Sequence, residues 1–357
     1  MKLVKAMKKM IFCLALGLVG VSQAVAATTF RYAEGTPNRG TRAEALQFFA
    51  EEVKRESGGE MRIDIHWGGV LLKYSAILDG VTAGTADLGT VLAAYQPQKL
   101  QALAIGDLPL ANSDPWVGLH AMYDLMTQNE QMKQALAKHD LVYLGNYTTT
   151  SVQFECTEGN EIRTLEDLKG KRMRASVTYA KVLQDLGANL INMTYSDIYQ
   201  ALETGLADCS AAYFYAMRAF KTPEVTHSVT RVDWGQIMGF ALVMNRYVWE
   251  DLAPEQQKVF RDAGIAMTDH YARLLLEEID EVSADLPTGK LGNKIEMIKL
   301  PEADRQKLFG ATEKYVREWI EQSNKMGLDG QGIWDQYTAL LEKYETERDE
   351  RGYPWDR

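Results

Sequence analysis

Along residues 162–213 the apolar and polar positions repeat one unit: a short apolar run, a capped helical stretch, a glycine and another apolar run. Thr164 followed by Asp167 has the spacing of a reciprocal N-cap, and Gly170 stands where a helix closes in a left-handed residue. The pattern predicts a short helix over 164–169 and a strand over 171–175. Val182, Leu183 and Leu186 then form a helical stripe that stops at Gly187, and 190–193 reads as a second strand. Thr194 with Asp197 opens a further helix on Ile198, Tyr199 and Leu202, which stops at Gly205 before a strand over 209–213. Strands alternating with helices in this way imply an α/β fold with a parallel sheet, whose ligands sit at the carboxyl ends of the strands. Arg174 lies at such an end.

The same rhythm runs through the rest of the chain. Strands are predicted over 29–33, 61–67 and 87–91, with helices over 41–56 and 77–83 between them. The loop 34–40, rich in turn residues, should line a cleft. One long helix is predicted over 117–136, its Met122, Leu125, Met126 and Met132 facing the core. A strand over 141–147 follows, and 151–156 and 240–244 read as crossings between two lobes. Pro254 opens an apolar period through Phe260, Ala263, Met267, Tyr271, Leu274 and Val282, implying one helix of about thirty residues and about 45 Å. That exceeds the width of one lobe, so the helix is expected to brace both. Residues 294–299 should be a strand, 302–326 and 333–345 terminal helices, and the charged end, residues 346–357, a loosely held tail.

Composition and charge narrow the classes. Lys2, Lys5, Lys8 and Lys9 precede an apolar run to Val21, and Ala24-Val25-Ala26 is a small-x-small site, so residues 1–26 read as a secretory signal. The run is too short to span a bilayer. Removing its four lysines takes the formal charge from −10 to −14, which argues against nucleic acid as a partner. Cys156 and Cys209 remain after cleavage; in an oxidising compartment they form either a bridge or two buried thiols. The five histidines show no metal-ligand spacing and no nucleophile elbow or phosphate loop is present, so neither an enzyme nor a cofactor is expected. At its strand end, Arg174 either pairs with a neighbouring acid on the surface or presents a planar fork to an anion in a cleft.

The run GKRMRAS followed by YAKVLQDLGANLINMTYSDIYQALETGLADC resembles the substrate-binding proteins of TRAP transporters, the DctP family. The likeness extends through SGGEMRIDIHWGGVLL, ILDGVTAGTADLGT, the LPL around Pro109 and ALVMNRYVWEDLAPEQQ. It implies a two-lobed periplasmic binding protein, a type II-like clamp with hinge strands. One lobe would comprise 27–150 and about 240–285, the other 151–239 and about 286–345. It also implies capture of a small organic anion in the periplasm and its delivery to membrane permease subunits; the protein itself is expected to be a monomer. In the family, the arginine matching Arg174 grips the ligand carboxylate.

The chain departs from the family pattern at other contacts. A second ligand-binding arginine of the sialic-acid-type members corresponds to Phe154, the ligand-facing asparagine to Ala212, and a position often polar to Leu92. The expected site is therefore Arg174 on the carboxylate, with Phe154, Tyr213 and Trp234 against the ligand body. Asn38, Arg39, Tyr74 and Asp233 are expected to close over it. This set points to a monocarboxylate with an apolar or aromatic body; Arg39, Arg42, Lys73 or Arg218 would have to supply any second charge. The alternatives are a C4-dicarboxylate or sugar-acid binder of the same family, a binding protein of an ATP-driven importer, and an enzyme on the same scaffold.

Overall fold

A computed structural model describes residues 27–357; the expected leader lies outside the described residues. In chain order the first elements are β1 (Thr28–Ala33), α1 (Thr41–Glu56), β2 (Met61–His66), α2 (Tyr74–Thr82), β3 (Leu88–Leu92), α3 (Pro115–Gln128), α4 (Glu130–Ala137) and β4 (Leu141–Gly145). There follow β5 (Val152–Cys156), β6 (Arg172–Arg174), α5 (Val177–Asp185), β7 (Asn189–Ile191), α6 (Ile198–Glu203), β8 (Cys209–Ala212), α7 (Phe214–Phe220) and β9 (Ser228–Trp234). The chain ends with β10 (Phe240–Asn245), α8 (Arg246–Glu250), α9 (Pro254–Asp285), β11 (Glu296–Lys299), α10 (Glu302–Gly310), α11 (Glu313–Lys325) and α12 (Gly330–Arg351).

Two sheets result. The first has the order β2-β1-β3-β10-β4, with β1 parallel to β2 and β3 and the returning β10 antiparallel to β3 and β4. The second has the order β11-β9-β5-β8-β6-β7, in which β6 runs parallel to both β7 and β8. The connection 146–151 and the connection 235–239 cross between them side by side, tied by Thr149 N to Ile237 O at 3.0 Å and Val152 N to Gly235 O at 3.1 Å. The α9 helix spans both lobes as expected. Its Tyr271 hydroxyl donates to Thr148 O at 2.7 Å, and near its end Glu278 and Glu281 hold Arg218 of α7. Mid-helix, Gly264 is required because a Cβ there would collide with the Leu144 carbonyl oxygen, so α9 lies directly on β4. Among the described residues no helix is long and apolar enough to cross a membrane.

Three expectations need correction. The stretch 117–136 is not one helix: it breaks at Asn129, whose N–H closes α3 on Leu125 O and whose side chain caps α4 at Met132 N, 3.0 Å. A residue of strong N-cap preference offered the backbone this alternative. The stretch 302–326 likewise divides into α10 and α11. The charged C-terminus is not loose, because its aromatics override its charge. The Tyr353 hydroxyl donates to Asp114 at 2.7 Å, its ring packs edge-on to Trp116, and Trp355 stacks on it at 4.8 Å. The α12 helix accordingly lies along α3, where Lys343 and Tyr344 meet Asp124.

Candidate functional site

Alternation along β6 separates its two arginines. Met173 points into the core, while Arg172, exposed at the strand start, takes Asp208 through Nε at 3.1 Å and a second, shorter contact. The β8 register places Arg174 opposite Ser210, at the end of the strand, where the side chain is only 6% exposed. Its Nε lies 3.4 Å from Met193 O, its guanidinium stands 4.9 Å from the Tyr195 ring centre, and Nη1 has no hydrogen-bond partner. It makes no ion pair among the described residues. Glu155 is near enough to feel its charge, but burial pushes that carboxyl up to about 7, with Thr222 donating to it at 2.6 Å. A buried donor left unsatisfied costs about 1–3 kcal/mol, which an arriving anion recovers.

This guanidinium opens into a cleft of about 690 Å³ between the sheets. Its walls are built by the residues just beyond the carboxyl ends of parallel strands: Gly35 to Pro37 after β1, Gly68 and Gly69 after β2, Ser176 after β6, Thr194 after β7 and Tyr213 after β8. The second lobe contributes a band of rings. Tyr195 stacks on Tyr213 at 5.6 Å, Tyr213 lies parallel to Tyr215 at 6.1 Å, and Phe220 meets Tyr195 edge-on at 5.0 Å. The first lobe answers with Tyr74 stacked on Tyr95 at 5.8 Å and with Phe240.

Residues 32–323 match the model of bacterial extracellular solute-binding protein family 7, DctP. The chain belongs to the DctP family. It is 26% identical over 239 residues to the C4-dicarboxylate-binding periplasmic protein DctP of Rhodobacter capsulatus, covering 65% of this chain and 69% of that one. The matched regions span 64–69% of three such relatives. Among solved structures, a TRAP periplasmic solute-binding protein from Desulfovibrio salexigens superposes with a TM-score of 0.78 at 26% identity, covering 90% of this chain and 97% of that chain. A TRAP solute-binding protein from Rhodoferax ferrireducens, in complex with copurified benzoate, gives 0.80 at 19% identity over 90% and 99%. Family and fold are thus those of transport binding proteins, whose DctP and TRAP relatives are periplasmic.

Within this DctP fold the expected site residues divide. Arg174, Tyr74, Leu92 and Tyr213 line the cleft. Phe154, Trp234 and Ala212 do not: each is fully buried, with Phe154 on the central β5 packed against Trp234, which in turn packs on Tyr179. Asn38 and Arg39 are exposed beyond the lining part of their loop, with Asn38 accepting from Gln47 at 2.6 Å. Asp233 is turned to Ser151, Gln153 and Arg231. In Tyr213-Phe214-Tyr215 the middle ring is fully buried, while its neighbours both line the cleft. Of the candidates for a second charge, Arg42 and Lys73 reach the cleft, whereas Arg218 is engaged by α9.

Sequence reading misses Tyr195, Tyr95, Phe240 and Asp107. Tyr195 stands between the capping residues Thr194 and Asp197 and is hidden by that motif, although it lies just beyond a strand end. Arg42 carries a signal of its own, since a cation in a helix's first turn opposes the helix dipole and needs another reason to be there.

Asp107 closes the floor of the cleft against the hinge. Gly239 N donates to its Oδ1 at 2.7 Å, and a Cβ on Gly239 would collide with the carboxylate. Burial pushes this carboxyl up to about 7, with the Gly239 N–H offsetting only part of the effect. Because the folded value lies above that of the unfolded chain, the contribution of Asp107 to stability is fully present in acid and is lost as pH rises from about 4 through about 7. Glu155 and Glu278, both held at about 7 by burial, act in the same sense. Asp107→Asn keeps an acceptor for Gly239 and should lose less stability between pH 5 and 8 than the parent, by at least ~1 kcal/mol. Urea melts at four pH values check this; parallel profiles for the two proteins would contradict it.

Proposed function

We propose that the protein is the periplasmic solute-binding component of a TRAP transporter. It captures an organic monocarboxylate with an aromatic or apolar body, as a single chain, and delivers it to the membrane permease. The observation that carries this reading is Arg174, a buried guanidinium that among the described residues has no acid partner, at the wall of a ring-lined cleft. Such a group presents two parallel N–H donors to a carboxylate. The rings of Tyr195, Tyr213, Tyr215 and Phe220 suit a flat apolar body better than a polyhydroxylated one, which would require more polar partners. The benzoate bound by the Rhodoferax protein agrees with this class, while the Rhodobacter relative is named for C4-dicarboxylates.

A thermal-shift screen of the mature protein against aromatic and aliphatic monoacids, diacids and sugar acids tests the reading. Binding to the native state raises the midpoint by mass action. The expected result is a selective rise with aromatic monocarboxylates; a rise confined to diacids or uronic acids would overturn the ligand class. Location of the gene beside those of two TRAP permease subunits would support delivery to a permease.

A further inference from the structure

The cleft holds a second guanidinium, and its surroundings differ from those of Arg174. Arg42, in the first turn of α1, is 7% exposed and is caged by three rings, with its Cζ 4.6 Å from the centre of Phe240, 4.8 Å from Tyr147 and 5.7 Å from Tyr74. Tyr215 from the other lobe shares this end of the cleft and is near enough to feel its charge. Behind it lies Glu34, 1% exposed, with Arg42 Nη2 at 3.9 Å from Oε1. That separation cancels charge but is too long for a hydrogen bond.

Glu34 has its donors elsewhere. The Tyr74 hydroxyl and the Thr36 N–H and hydroxyl (2.9 and 3.0 Å) go to Oε1, and the Thr90 hydroxyl goes to Oε2 at 2.6 Å. Arg42 Nε and Nη2 consequently have no partner among the described residues. Packing holds this side chain in place, its charge is already balanced, and its Nε and Nη2 are unsatisfied, which costs about as much as leaving any buried N–H unmade.

We propose that the two arginines read different features of one ligand: Arg174 its carboxylate, and Arg42 an uncharged acceptor oxygen, hydroxyl or carbonyl, elsewhere on the body. The inference rests on the carboxylate-binding reading above and narrows it to hydroxy- or oxo-substituted monoacids. A second carboxylate is disfavoured at Arg42 because Glu34 has already neutralised the cation and would repel another anion. An unsubstituted acid is disfavoured because it leaves the Arg42 donors unmade.

Calorimetry with the mature chain tests this, using phenylacetate, its three ring-hydroxylated isomers and the carboxyphenylacetates. At least one hydroxylated isomer should bind about tenfold or more tighter than phenylacetate, with the diacids weakest. Glu34→Gln should raise diacid affinity relative to phenylacetate by about tenfold or more, since the Arg42 charge is then unbalanced. The double variant Glu34→Gln with Arg42→Met should lose the hydroxyl preference while still binding phenylacetate, which shows that the fold and the Arg174 end survive. Equal binding of phenylacetate and all its hydroxylated isomers, or a diacid preference unmoved by Glu34→Gln, would overturn the inference and leave the carboxylate reading standing. No binding by any probe would overturn both.

Discussion

Arg174→Ala is expected to weaken binding of a carboxylate ligand by roughly thirtyfold to several thousandfold, corresponding to the ~2–5 kcal/mol lost when one partner of a buried charge pair is truncated. The free protein should be little affected, because among the described residues Arg174 has no acid partner and gives only one long hydrogen bond, to Met193 O at 3.4 Å. Its stacking on Tyr195 is worth about 0.5–2 kcal/mol, which bounds the cost to stability. Arg174→Lys keeps a charge but not the planar fork and should recover only part of the affinity. Calorimetry and melting curves on the three proteins separate the two effects. Unchanged affinity with Arg174→Ala would remove this residue from the site. Alanine at Arg172 is the matched control: that guanidinium is exposed and already engaged by Asp208, so its loss should leave affinity within about threefold.

The second large effect is on stability. Cys156 and Cys209 are directly opposed on the antiparallel β5 and β8 and joined by a disulfide. The loop it closes separates the cysteines by 53 residues in sequence, for which loop entropy alone gives about 4 kcal/mol of stabilisation. That loop contains β6, α5, β7 and α6, the segment that presents Arg174 and Tyr195 to the cleft. Replacing both cysteines by alanine should therefore lower the melting temperature by about 5–10 °C. It should also weaken ligand binding, since β8 leads directly into Tyr213 of the cleft wall and pairs with β6, which carries Arg174. Melting curves of the oxidised, reduced and double-alanine proteins check this. Coincident curves, or two reactive thiols in the native protein, would contradict it.

Much of this architecture is readable because short strands, capping pairs and stop glycines punctuate the chain. Arg174 is legible for a related reason: its place at the end of a strand in a parallel sheet is a topological position, and topology decides which strand ends face the cleft. The rings are less so. Phe154 and Trp234 have the size and chemistry of a ligand wall, yet β5 lies between β8 and β9, so Phe154 is enclosed and Trp234 packs beneath it. Periodicity gives the face on which a side chain stands but not which face a neighbouring element covers. Loop 34–40 shows the same limit: Gly35 to Pro37 line the cleft, while Asn38 and Arg39, one turn further on, face solvent. The C-terminus misleads through composition, since Tyr353 and Trp355 anchor a segment whose charge suggests solvation.

The pairing of Arg174 with a ligand carboxylate is tested most directly by a double-mutant cycle in which a bound aromatic acid is compared with its primary amide, by calorimetry, on the parent protein and on Arg174→Ala. The amide keeps the shape and loses the charge, so the parent should prefer the acid by about thirtyfold or more and the variant should show little preference. An acid preference of the same size in both proteins would place the carboxylate elsewhere.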